Sequence, residues 1–212
     1  MTVTVDELEV ADPPDTWTRA GFFVDSDAVC RVGEVRIRLV GRDRGTGIIG
    51  WSLGDLPTGD TFEVLDGVPT TRSDAVTAQP ATHPNGVTAI DHIVLLSPDL
   101  DRTVASMAAI GVEPRRERDT ELGGRRMRQI FFRFGGAIIE VVGSPETASD
   151  GPSKLWGITY VVDDIDASAA FFGDHTAPVK DAVQPGRRIT TVRHRDLGIS
   201  VHTAVISATL RP

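Results

Sequence analysis

The chain has 212 residues, with 22 Lys and Arg against 30 Asp and Glu and a formal net charge of -8. That balance excludes a general nucleic-acid binder, which needs a basic face to neutralise phosphates, and it provides no basic surface for an anionic membrane. A composition of 40% hydrophobic and 25% charged residues is that of a globular chain, and a lone cysteine, Cys30, excludes an internal disulfide and a Cys-rich zinc site.

No apolar run approaches the roughly 18 residues that span a bilayer. The acidic start, Met1 to Glu7, lacks the basic and apolar regions of a signal peptide. A cytoplasmic protein is the expectation.

In chain order, Val5-Asp6-Glu7-Leu8-Glu9-Val10 alternates like a strand, and Asp12-Pro13-Pro14-Asp15 starts a short helix that Gly21 ends. A further strand covers Val32 to Gly41, and Cys30 lies in a strand too, where inert is the better reading. The polar stretch from Thr70 to Asn85, with Pro80 and Pro84, is the best linker.

From Ala89 the pattern sharpens. Ile90, Val94, Leu95 and Leu96 form a strand, and Ser97 or Asp99 caps a helix through Leu100, Val104 and Met107 that Gly111 closes. Strands follow over Val112 to Arg118, Met127 to Phe134 and Ala137 to Val142, with turns at Gly123-Gly124 and Gly135-Gly136. This strand-helix-strand-strand-strand (βαβββ) unit recurs. Ile158 to Val162 make a strand, and Asp163-Asp164-Ile165-Asp166 opens a helix. Pro178 to Val183, Arg188 to Arg193 and Ile199 to Ile206 supply the later strands. A weaker copy begins the chain, where Val5 to Val10 aligns with Ile90 to Leu95. Ile49-Gly50-Trp51 echoes Trp156-Gly157-Ile158 and hints at a fourth, eroded copy. Repeated units usually bury their apolar faces against one another.

The fold class expected is α+β, with tandem βαβββ modules; their pairing into cupped, mostly antiparallel sheets is what the family resemblance carried by the second half implies. The expected domains are a degenerate half over 1–69, a linker over 70–86, and a half over 87–212 with modules at 87–146 and 153–209.

Three stretches carry a family resemblance: Ala89-Ile90-Asp91-His92-Ile93-Val94-Leu95, Asp99-Leu100-Asp101, and Ala137-Ile138-Ile139-Glu140-Val141-Val142. With the tandem βαβββ pattern, they resemble the vicinal oxygen chelate superfamily. That group includes glyoxalase I, extradiol dioxygenases, methylmalonyl-CoA epimerase and bleomycin-resistance proteins. The resemblance implies metal ligands on the first and last strand of each module. It maps them to His92, Glu140, Gly157 and His202, and glycine cannot ligate. His92, Glu140 and His202 are then the candidate set for a divalent ion, Fe, Mn, Ni, Co or Zn. Glu140 is also the candidate catalytic group, as ligand or proton shuttle. The missing fourth ligand departs from the glyoxalase I pattern. In the first half the same map yields Glu7, Arg38 and Gly50, an ion pair rather than a metal site.

Each residue also has a plainer reading. His92 reads equally as a hydrogen-bonded core histidine, Glu140 as a solvent-facing strand residue, and His202 depends on an alignment in which one step flips its face. His83, His175 and His194 read as surface residues, and Arg187-Arg188 as an exposed turn pair. Trp156, Arg128 and Phe132 are the candidate substrate contacts. The glycine pairs lack phosphate-loop spacing, and no serine has a nucleophile-elbow context.

The implied function is a metal-dependent lyase, isomerase or dioxygenase acting on a small oxygen-chelating substrate. A metal-free binding or resistance protein that sequesters a small molecule is the alternative. Module pairing within one chain and across a homodimer both fit the repeat.

Overall fold

The computed structural model describes residues 2–57, 63–74 and 79–209. The first half supplies β1 (Thr4–Val10), α1 (Pro14–Arg19), β2 (Val29–Val32), β3 (Val35–Leu39), β4 (Ile48–Gly54), β5 (Val64–Leu65) and β6 (Val68–Arg72). The second supplies β7 (Val87–Leu96), α2 (Leu100–Ala109), β8 (Pro114–Leu122), β9 (Arg125–Phe134) and β10 (Ala137–Gly143). It continues with β11 (Lys154–Val162), α3 (Ile165–Phe172), β12 (Lys180–Asp181), β13 (Arg188–Val192) and β14 (His202–Ser207).

Local chemistry accounts for the helix ends. The Asp99 carboxylate accepts from Arg102 N at 3.0 Å, and Asp164 accepts from Asp166 N and Ala167 N. Gly111, at φ 77°, takes the left-handed position just past α2.

Two open, mostly antiparallel sheets result, as the fold class requires. The first has six strands in the order β2-β3-β1-β4-β6-β5 and the second eight in the order β12-β13-β14-β11-β7-β10-β9-β8. Inside the second sheet each module's first and last strands pair in parallel, β7 with β10 and β11 with β14. The two first strands meet antiparallel at the centre.

The first sheet repeats this scheme. β1 pairs parallel with β3 and antiparallel with β4, and β4 pairs parallel with β6. Gly50 lies opposite Glu9 as Gly157 lies opposite Val94, at corresponding places of the two pairing schemes. β6 begins the stretch that sequence alone reads as linker.

Strand alternation sorts side chains between the two faces of the second sheet. Ile93, Leu95, Phe132, Ile139 and Val141 are fully buried, in the same core as Met107 of α2. His92, Val94, Glu140 and His202 point to the opposite, concave face. Two buried carboxylates clip the halves together. Asp66 accepts from Arg102 Nε at 2.6 Å and from the Thr103 and Ser153 hydroxyls. Asp12 accepts from Ser200 N at 2.9 Å and from Trp17 Nε1 at 3.1 Å. Among the described residues no helix is long and apolar enough to cross a membrane.

Candidate functional site in the cup of the second sheet

The pairing register creates the site. Gly157 lies opposite both His202 and Val94, and Val94 lies opposite Glu140. His202, Gly157, Val94 and Glu140 therefore form one row across four strands, on one face. His92 sits on the same face of β7, two residues from Val94.

Two β-bulges interrupt the β7–β11 ladder beside this row. Thr159 pairs with His92 and Tyr160 with Ile90, so Asp91 is an extra residue on β7. Leu155 pairs with Leu95 and Gly157 with Val94, so Trp156 is an extra residue on β11. Each bulge turns a side chain out of strict alternation and toward the site.

A polar chain crosses the cup floor. His92 Nε2 lies 3.2 Å from Glu140 Oε2, and its Nδ1 lies 2.8 Å from Asp91 Oδ2. Arg187 Nη1 lies 2.6 Å from Asp91 Oδ1, and its Nε donates to Ser207 O at 2.7 Å. On the far side Gln129 Nε2 donates to Glu140 Oε1, and Arg118 Nε donates to Gln129 Oε1 at 2.8 Å. Glu140 is 8% exposed, so a partner is needed, and it has two. Burial pushes the Asp91 carboxyl up, but hydrogen bonds from His92 and Arg187 outweigh it and hold the group below its ordinary range.

His202 belongs to a different cluster. Its ring stacks on Trp156 at 3.9 Å and 17°, and the ring of His194 lies 4.4 Å away on a tilt. Burial lowers the proton affinity of both imidazoles. The structure thus brings His92 and Glu140 together and sets His202 against Trp156. Among the described residues no three His, Cys, Asp or Glu side chains are grouped to hold a metal ion. Of the set His92, Glu140 and His202, the first two are in contact and the third is stacked on Trp156.

The remaining sequence-derived residues are easily located. Phe132 is fully buried in the core, opposite Ile139, on the face away from His92. Arg128 alternates with Gln129, shares the Phe132 face, and pairs with Asp119 Oδ1 at 2.8 Å. Glu7 pairs with Arg38 at 2.8 Å and with Arg36 at 3.1 Å, the ion pair expected at the matching place of the first sheet.

Three surface readings are corrected. Arg187 is buried because Asp91 and Ser207 O hold its guanidinium. His83 is buried between Phe23 N, 3.0 Å from its Nδ1, and Arg31 O, 3.1 Å from its Nε2. His194 is buried under His202. Sequence reasoning missed Asp91, Gln129, Arg118 and Arg187 as site residues. Only the Asp91-His92 dipeptide carried a local signal.

A cavity of about 720 Å3 lies elsewhere, lined among others by Val5, Asp6, Glu34, Arg72 and Phe134.

Residues 91–192 match a family described as the Glyoxalase/Bleomycin resistance protein/Dioxygenase superfamily. No curated protein matches the chain. Among solved structures, a variant of 4-hydroxymandelate synthase from Streptomyces coelicolor is 17% identical at a TM-score of 0.67, covering 100% of this chain and 94% of that one. A xylose isomerase-like TIM barrel/4-hydroxyphenylpyruvate dioxygenase fusion protein is 14% identical at a TM-score of 0.63, covering 100% of this chain and 50% of that one. Methylmalonyl-CoA epimerase from Mycobacterium tuberculosis is 16% identical at a TM-score of 0.45, over 58% of this chain and 90% of that one. At such identities the likeness is one of fold, and the first two extend it across both halves.

Proposed function

We propose, from the premise that residues 91–192 belong to the Glyoxalase/Bleomycin resistance protein/Dioxygenase superfamily, that the cup of the second sheet is a proton-transfer site. It acts as a lyase or isomerase on a small oxygen-bearing substrate. The observation that carries this reading is His92 held between two carboxylates, with Nε2 3.2 Å from Glu140.

A substrate carbonyl oxygen takes the place of Glu140 at His92 Nε2. Glu140, freed from that contact and still held by Gln129, takes a proton from the carbon next to the carbonyl. The negative charge that develops on oxygen is met at His92 Nε2, while Asp91, fixed by Arg187, holds the ring through Nδ1. Return of the proton from Glu140 completes an isomerisation.

Family membership is also the ground for a divalent ion as cofactor. His92 and Glu140 are two donors for such an ion once their mutual contact opens. A metal-free sequestering protein is the second reading. It is favoured by the closure of Glu140 against both His92 and Gln129.

The test is solvent deuterium uptake by a panel of α-hydroxy ketones and acyl thioesters, followed by proton NMR, with elemental analysis of the same protein. Uptake abolished in Glu140→Gln and His92→Ala is the expected result. Stoichiometric metal lost in both variants replaces this mechanism with the metal-dependent one. Ligand binding without uptake replaces it with sequestration.

A further inference from the structure

Trp156 is 43% exposed, whereas Trp17 and Trp51 are buried. Its place on a bulge removes it from the core face that Leu155 and Ile158 occupy on either side. One face of its indole lies on His202 in a near-parallel stack, so the open area belongs to the other face and the ring edge. His202 is backed in turn by the buried His194. Gly157 makes room for this arrangement, because a Cβ there would lie 2.8 Å from His202 O and 3.0 Å from His202 Cβ.

Three rings in succession form a stiff wall. It stands at one end of the row whose other end is Glu140. The row spans three strand spacings, about 14 Å along a flat sheet and less in a cupped one. The floor between, Gly157 and Val94, carries little side-chain bulk and no charge.

We propose that Trp156, backed by His202 and His194, is a stacking shelf, and that the ligand of this cup carries a flat conjugated ring beside its oxygen function. This rests on the reading of His92 and Glu140 as the polar anchor. Ring faces attract other rings through dispersion and quadrupole matching, and a wall already stacked loses little freedom when one more ring is added. Trp156 thereby becomes a specificity-determining residue, and His202 and His194 position it.

Two probes isolate the ring. They are benzamide and its saturated counterpart cyclohexanecarboxamide, which carry the same carboxamide. Binding is followed by the Trp156 indole N–H resonance, identified by its loss in Trp156→Phe, and by calorimetry. The flat probe is expected to bind about 2- to 10-fold tighter than the saturated one. Trp156→Ala should abolish that ratio and Trp156→Phe should keep most of it. Glu140→Gln should weaken both probes alike and leave the ratio intact. Equal affinities in the parent protein, a ratio that survives Trp156→Ala, or no binding of either probe would each overturn the shelf. A Trp156-dependent ratio with both affinities indifferent to Glu140→Gln would uphold the shelf and remove the anchor instead.

Discussion

Arg187→Ala is the most searching test of how the cup is held. Arg187 comes from the turn between β12 and β13, and Asp91 is the bulged residue at the centre of the sheet. Their 2.6 Å ion pair joins one wall of the cup to its floor, with side chains only 8% and 14% exposed. Removing the guanidinium also strips the donors from Ser207 O and Gln184 Oε1. Breaking one side of a buried pair typically costs about 3–5 kcal/mol. Asp91 keeps His92 as a partner, so the expected loss is at the lower end, about 3 kcal/mol. For a chain of this size that is a drop in Tm of roughly 6–12 °C.

Urea unfolding of Arg187→Ala, Asp91→Ala and the double variant measures the pair directly, because the cycle isolates their coupling. Coupling of at least about 1 kcal/mol is expected, with Arg187→Lys recovering only part of it, since Lys cannot hold Asp91 and Ser207 O in one rigid fork. Additive losses, or an Arg187→Ala variant within about 0.5 kcal/mol of the parent, would refute the idea that this pair organises the cup.

Three further outcomes follow from the same contacts. Burial lowers the proton affinity of His83, His194 and His202 below the ordinary 6.5, so the unfolded chain takes up their protons first on acidification. Their contribution to stability is present above pH 6.5 and is lost as the pH falls toward the depressed folded values, so the urea midpoint should drop between pH 7 and pH 5. A flat or rising midpoint over that range would count against their burial. Gly157→Ala should cost about 1–3 kcal/mol and weaken the near-ultraviolet dichroism of the Trp156–His202 stack, because the added methyl meets strand backbone rather than a movable side-chain tip. An unchanged Tm and spectrum would contradict that packing. Burial pushes the Cys30 thiol up to about 12, so a thiol-specific disulfide reagent should leave the native protein untouched and react only on unfolding.

Local chemistry determined much of this protein before any tertiary contact. The branched apolar runs at Ile90–Leu96 and Ala137–Val142, the Asp caps and the glycine turns specify a βαβββ unit, and that unit recurs. Those signals are local because capping, turn geometry and alternation each involve residues a few positions apart. His92 and Glu140 were singled out through the family resemblance, each as a polar residue on a first or last strand of the repeat.

What the linear pattern left open was decided by register and by the two bulges. Asp91 and Trp156 leave strict alternation through single extra residues in one ladder, and no nearby residue announces them. Arg187 follows a proline-glycine turn and reads as exposed, yet Asp91, nearly a hundred positions earlier in the chain, buries it. His202 lies in the row expected for it, and its ring stacks on Trp156, a contact that no local pattern announces. Sequence spacing carries alternation along a strand. Which side chains then meet across the cup is a property of the folded sheet, because partners far apart in the chain compete for each polar group.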